Sequence, residues 1–86
     1  MVRVFIPSPL RKLTDDQSPV EVAATTLREA IVALEQQFPG IRQQLCEGDS
    51  LTPTLQVSID ETMTRRMSAA LKPDSEIHFL PAIGGG

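Results

Sequence analysis

The segment TLREAIVALEQQFPG, residues 26–40, limits what this chain can fold into more than any other. Leu27, Ala30, Ile31, Leu34 and Phe38 recur at the spacing of one helix face, while Arg28, Glu29, Glu35 and Gln36 fall off it. Thr26 followed by Glu29 is the pattern of a capping box at the helix start. Pro39-Gly40 stops the helix, because proline cannot continue it and glycine readily leaves it. A helix over about 26–38 with one apolar stripe must bury that stripe, and the rest of the chain offers strands to bury it against.

VRVFI reads as a first strand with Val2, Val4 and Ile6 on one face, and PSP at 7–9 interrupts it. SPVEVA reads as a second strand, with TDDQS at 14–18 as the hairpin turn between the two. Beyond the helix, IRQQLCEG is expected to be a short helical turn with Ile41 and Leu45 inward. TLQVSID alternates Leu55, Val57 and Ile59 against Gln56 and Ser58, which is a half-buried strand. ETMTRRMSAAL is irregular, with room for a short strand or turn. KPDS is a turn, and EIHFLP is the last strand with Ile77 and Phe79 inward. The order is strand, strand, helix, strand, strand. A mixed sheet with one long helix across its face, an α+β arrangement, buries both apolar surfaces most simply.

A chain of 86 residues is expected to form one domain, 1–86. Its net charge of −3 and its lack of Trp and Tyr leave neither a basic stripe nor stacking aromatics, so nucleic acid is a poor partner. No stretch is apolar for long enough to cross a bilayer, so no membrane role is expected. MVRVFIPSPLRK lacks the order of a signal peptide, which points to the cytoplasm. The lone Cys46 fits a reducing compartment and excludes an internal disulfide or a cysteine-rich metal site.

Catalytic constellations are scarce. Cys46 and His78 are the only candidates for a thiol–imidazole dyad, and a solvated histidine beside an incidental thiol is the blander reading. His78 has no second histidine with which to share a metal. Asp15-Asp16 and Asp60-Glu61 sit in expected turns, and Arg65-Arg66 reads as a solvated pair or a docking patch. The terminal LPAIGGG remains. Glycines without Cβ atoms thread a narrow cleft and present a terminal carboxylate with no flanking side chain. Pro81 fixes one backbone angle and is expected to stop the strand, so that 82–86 project as a flexible tail. A free carboxylate is a poor electrophile and needs conversion to an acyl-adenylate before a sulfur nucleophile attacks it. Glycine-rich ends also occur as plain disordered linkers.

LPAIGGG preceded by LKPDSEIHF resembles the C-terminus of the ubiquitin-fold sulfur carriers of the MoaD/ThiS family. VRVFIPSPLR and LREAIVALEQQFPGI are similar to that family's first strand and long helix. The start and the LPA end resemble most the branch that delivers sulfide for cysteine biosynthesis. The resemblance implies a β-grasp fold in ββαββ order, its helix packing Leu27, Ile31, Leu34 and Phe38 on a sheet holding Val4, Ile6, Val57, Ile59, Ile77 and Phe79. It implies a protein cosubstrate rather than an enzyme, binding no cofactor itself. Gly86 would be adenylated and become a thiocarboxylate, with Gly84, Gly85 and Pro81 threading into partner sites. Gly84 stands where family members often carry Ala or Ser. The implied partners are an E1-like adenylyltransferase and sulfurtransferase that uses ATP, then a pyridoxal-phosphate (PLP) dependent cysteine synthase. A molybdopterin synthase large subunit or a thiamine-type pathway is the alternative destination. A ubiquitin-like modifier joined to target lysines by isopeptide bonds is the other reading. If the natural chain runs past Gly86, a protease must expose this end.

Overall fold

The computed structural model describes residues 1–81. The expectations for Gly84, Gly85 and Gly86, and for 82–86 as a flexible tail, lie outside the described residues.

The opening strand β1 (Val2–Phe5) and β2 (Val20–Val22) pair antiparallel, with Val4 opposite Val20. The expected turn within residues 14–18 is present, and the connection ahead of it is helical rather than extended. Pro7 precedes a 3-10 helix over Ser8–Thr14 that carries the chain away from the sheet before the turn at Asp15 and Asp16. Proline at the start of such a helix gives up an N–H that would have no partner there. Thr14 is fully buried, and its hydroxyl lies 3.1 Å from the Arg11 carbonyl and 2.9 Å from that of Gln17.

Helix α1 (Leu27–Gln37) forms where the spacing predicts it. Leu27, Ala30, Ile31 and Leu34 are buried, while Phe38, just past the helix, is only partly covered. The Thr26 hydroxyl accepts the Glu29 N–H at 3.2 Å, as a capping box requires. The return arm is shifted by one residue: the Glu29 carboxylate accepts from the N–H and the hydroxyl of Thr25, each at 2.8 Å. Thr26 itself is engaged in a bridge with Ala70. The first N–H groups of the helix, on Leu27 and Arg28, donate to the carbonyls of Ala69 and Met67. A distant segment thus satisfies donors that no helix can satisfy internally. At the other end Gly40 adopts φ of 102°, and the Glu35 carboxylate accepts its N–H and that of Arg42. This joins α1 to the short α2 (Ile41–Leu45), whose Ile41 and Leu45 are fully buried.

A two-stranded hairpin follows, β3 (Cys46–Glu47) with β4 (Ser50–Leu51), which the sequence reading did not anticipate. Next come β5 (Leu55–Ile59), β6 (Thr62–Thr64) and β7 (Glu76–Pro81). The main sheet runs β2-β1-β7-β5-β6, with β7 parallel to β1 and antiparallel to β5. Strands β1, β2, β5 and β7 follow the expected chain order around α1, and β6 adds an edge strand from the segment read as irregular with room for a short strand or turn. One apolar cluster lies between this sheet and α1, including Val4, Ile6, Val57, Ile77 and Phe79.

Candidate functional site

The site is read at the end of β7, because that strand leads to the glycines. β7 lies in the middle of the sheet with a neighbour on each side. Its alternation sends Ile77 and Phe79 into the core and leaves Glu76, His78 and Leu80 on the outer face. Pro81 does not stand clear of the ladder: it is in register with Leu55, and its carbonyl accepts from the Gln56 side chain at 3.1 Å. Proline lacks only a donor, so a place at a strand's last described position is open to it.

The neighbouring parallel strand completes the surface. Phe5 is the partner of His78, and their rings stack with centroids 4.2 Å apart and planes 7° from parallel. Together with Pro7, Leu80, Pro81 and Arg11 they line an open groove of about 460 Å³. The Arg11 Nε donates to the Ile6 carbonyl at 3.0 Å, which fixes the guanidinium at the rim. Leu80 is 37% exposed beside the two half-buried rings, so the three side chains form a continuous, partly apolar surface. Further along the same face Arg3 and Glu76, cross-strand partners, form an ion pair at 2.6 Å. The surface therefore grades from charged to apolar toward the strand end.

The two candidate reactive side chains lie apart. Cys46 and His78 are not brought together: Cys46 joins the core from the small hairpin, while His78 lies on the face away from the core. Burial pushes the Cys46 thiol up, against a weaker opposite pull from Arg42, so it is the less nucleophilic for it. Among the described residues no group of acidic, histidine or cysteine side chains is placed to hold a metal. Asp15, Asp16, Asp60 and Glu61 all have positive φ and shape turns, as expected for acidic residues there. Arg65 is structural: its guanidinium donates to the carbonyls of Leu51, Thr52 and Leu55. Sequence reading passed over Phe5, Arg11 and Leu80. The signal was present, since Phe5 and Leu80 are apolar at strand positions whose neighbours turn inward.

A mixed sheet whose first and last strands lie parallel at its centre, with α1 across one face, is the β-grasp fold, and this protein is a ubiquitin-like sulfur carrier in architecture. The model of the ThiS family matches residues 4–86, and the chain belongs to that family. It is similar to a chain in the crystal structure of the Amycolatopsis orientalis BexX/CysO complex, with 28% identity, a TM-score of 0.90 and 100% of both chains covered. It is also similar to Mycobacterium tuberculosis CysO, an antigen, with 27% identity and a TM-score of 0.87 over 96% of this chain and 100% of that one. These likenesses place it with the CysO-like carriers. SAMP1 from Haloferax volcanii shares the fold, with 18% identity and a TM-score of 0.73 over 99% of this chain and 98% of the other. A search of curated proteins returned no match.

Proposed function

We propose that this chain carries sulfur as a thiocarboxylate on Gly86, for cysteine biosynthesis, and acts as a cosubstrate rather than a catalyst. The observation that carries the reading is the family match through Gly86 combined with β7, a strand held on both sides whose last described residues, Leu80 and Pro81, line an open groove.

A Gly86 carboxylate oxygen attacks the α-phosphorus of ATP on an E1-like partner, and pyrophosphate leaves. A sulfur nucleophile then attacks the acyl carbon, and AMP departs with the electrons of the broken C–O bond. Each step needs an enzyme that surrounds the acyl group, and bare backbone at Gly84 and Gly85 admits the closest approach. The outer face around Phe5, His78 and Leu80 would hold the carrier while Gly86 reacts. The acceptor would be a PLP-dependent synthase that takes the sulfur onto an aminoacrylate. The single domain 1–86, the cytoplasmic setting and the threading role of Gly84, Gly85 and Pro81 belong to the same proposal. Among the described residues no helix is long and apolar enough to cross a membrane.

The test is the intact mass of the protein purified from its native host, and after incubation with an activating enzyme, ATP and sulfide. Replacement of one terminal oxygen by sulfur supports the reading, and a cysteinyl adduct at Gly86 supports the cysteine destination. A ladder of isopeptide-linked products with no sulfur species would overturn it in favour of a modifier.

A further inference from the structure

A second groove lies at the edge of the sheet, separated from the outer-face surface by β5. β6 is an outer strand, joined to β5 by the turn Asp60-Glu61, with φ of 49° and 73°. A turn of that kind makes Ile59 and Thr62 a hydrogen-bonded pair, so the next pair, Ser58 and Met63, is of the non-bonded kind. The N–H and C=O of Met63 therefore point away from β5, and its side chain is 48% exposed. Beside this free edge a groove of about 500 Å³ has Ile59 at its floor and Thr62, Thr64, Arg66, Ser68 and Lys72 on its walls.

Charge decides what suits the groove. The chain as a whole is acidic, at −3, yet two cations meet here without an ion pair, the one described pair being Arg3 with Glu76. Arg66 and Lys72 enter the described hydrogen bonds through their backbone N–H and carbonyl groups, and not through their side chains. Asp60 also lines the groove, but its carboxylate oxygens already accept from the Ser75 hydroxyl at 2.6 Å and the Glu76 N–H at 2.9 Å. It answers Lys72 only at a distance.

We propose that this groove receives an acidic, extended segment of a partner protein, laid along the free edge of β6. Its main chain would bond to Met63 and its carboxylates would meet Arg66 and Lys72. An edge strand offers pairing to any extended chain, and the cations with their flanking hydroxyls select the acidic one. Nucleic acid suits the groove less, since its binding rests on many phosphate contacts and this groove offers two cations. Under the carrier reading, on which this part of the inference rests, the segment belongs to the activating enzyme and adds a hold away from the chemistry.

The experiment compares the wild type with the double variant Arg66→Glu, Lys72→Glu, and with Arg28→Glu as a charge control on the helix. The probe is a capped peptide of alternating glutamate and valine, titrated against the isotopically labelled protein. Amide shifts are expected over 59–72, and raising the salt from about 0.1 M to about 1 M, which shortens the screening length from about 10 Å to about 3 Å, should abolish them. The double variant should bind about tenfold more weakly and show about a tenfold higher KM as substrate of the activating enzyme, at unchanged kcat and melting temperature. Arg28→Glu should behave as wild type. Absent shifts, or shifts on the face around Phe5 and Leu80, overturn the proposal. A wild type that is loaded no better than the double variant removes the enzyme from this groove and leaves the carrier reading standing. A wild type that no activating enzyme loads removes the carrier reading, and the peptide titration then decides the groove by itself.

Discussion

At the scale of the residue, the proposed chemistry falls on a terminal glycine and the structural support on side chains elsewhere in the chain. Deleting Gly86 is expected to abolish gain of sulfur in the intact mass while leaving the melting temperature unchanged. Gly85→Phe should impair activation as well, since a ring needs width that bare backbone does not. Cys46→Ala should load like the wild type, and a loading defect there would place chemistry in the small hairpin instead. Because Cys46 is buried in the core, that variant should still melt at a lower temperature. Asp60 offers a pH test. The Ser75 hydroxyl first, and then the Glu76 N–H, hold its carboxyl below the usual carboxylate range. A carboxyl whose folded value is depressed contributes stability above its unfolded value, about 3.9, and loses it as pH falls through the folded value. Melting temperatures from neutral pH down to about 2 should therefore fall less steeply for Asp60→Asn than for the wild type in the acid range. Equal slopes would show that the carboxylate contributes nothing beyond shape.

Among the elements, α1 shows how local pattern and distant chain divide the work. Its stripe, cap and stop are local, and Leu34, fully buried, is the residue on which the helix packs. Leu34→Ala should cost about 2–5 kcal/mol in denaturant unfolding, from lost burial plus the cavity left behind. Thr26→Ala should cost about 1 kcal/mol by removing the acceptor for the Glu29 N–H. A Leu34→Ala variant as stable as wild type would show that the core reading is wrong. The Asp60-Glu61 turn was legible as a turn, while the stretch after it left a short strand and a further turn equally open. Thr62-Met63-Thr64 carries too few apolar residues to show a period, and its strand character comes from pairing with β5. The β3–β4 hairpin is hidden for the same reason, with two residues per strand and Gly48 in the turn.

Taken whole, the molecule sets two surfaces around one sheet: the apolar shelf beside β7 and the cationic groove beside β6. Leu80→Asp, on the outer face and 37% exposed, should leave the melting temperature nearly unchanged and raise the KM of activation by about tenfold. A normal KM in that variant would remove the shelf from the docking surface. The same change at Phe79, which faces the core, should unfold the protein instead.

The sequence by itself determined the helix, its ends, the inward residues of β1, β5 and β7, and the family of its glycine-rich end. Those features are periodic or punctuated, and each is written in residues a few positions apart. Only the tertiary structure decided that β7 lies between β1 and β5, that Phe5 stacks on His78, and that Met67 and Ala69 supply carbonyls to the start of α1. The physical reason is separation along the chain. A parallel pairing of first and last strands joins residues that local pattern never relates, and it follows from the burial of the whole apolar set at once. Arg65 and Arg66 show the same division in two adjacent letters. The sequence makes them equivalent, and the fold directs one guanidinium onto backbone carbonyls and leaves the other lining an open groove.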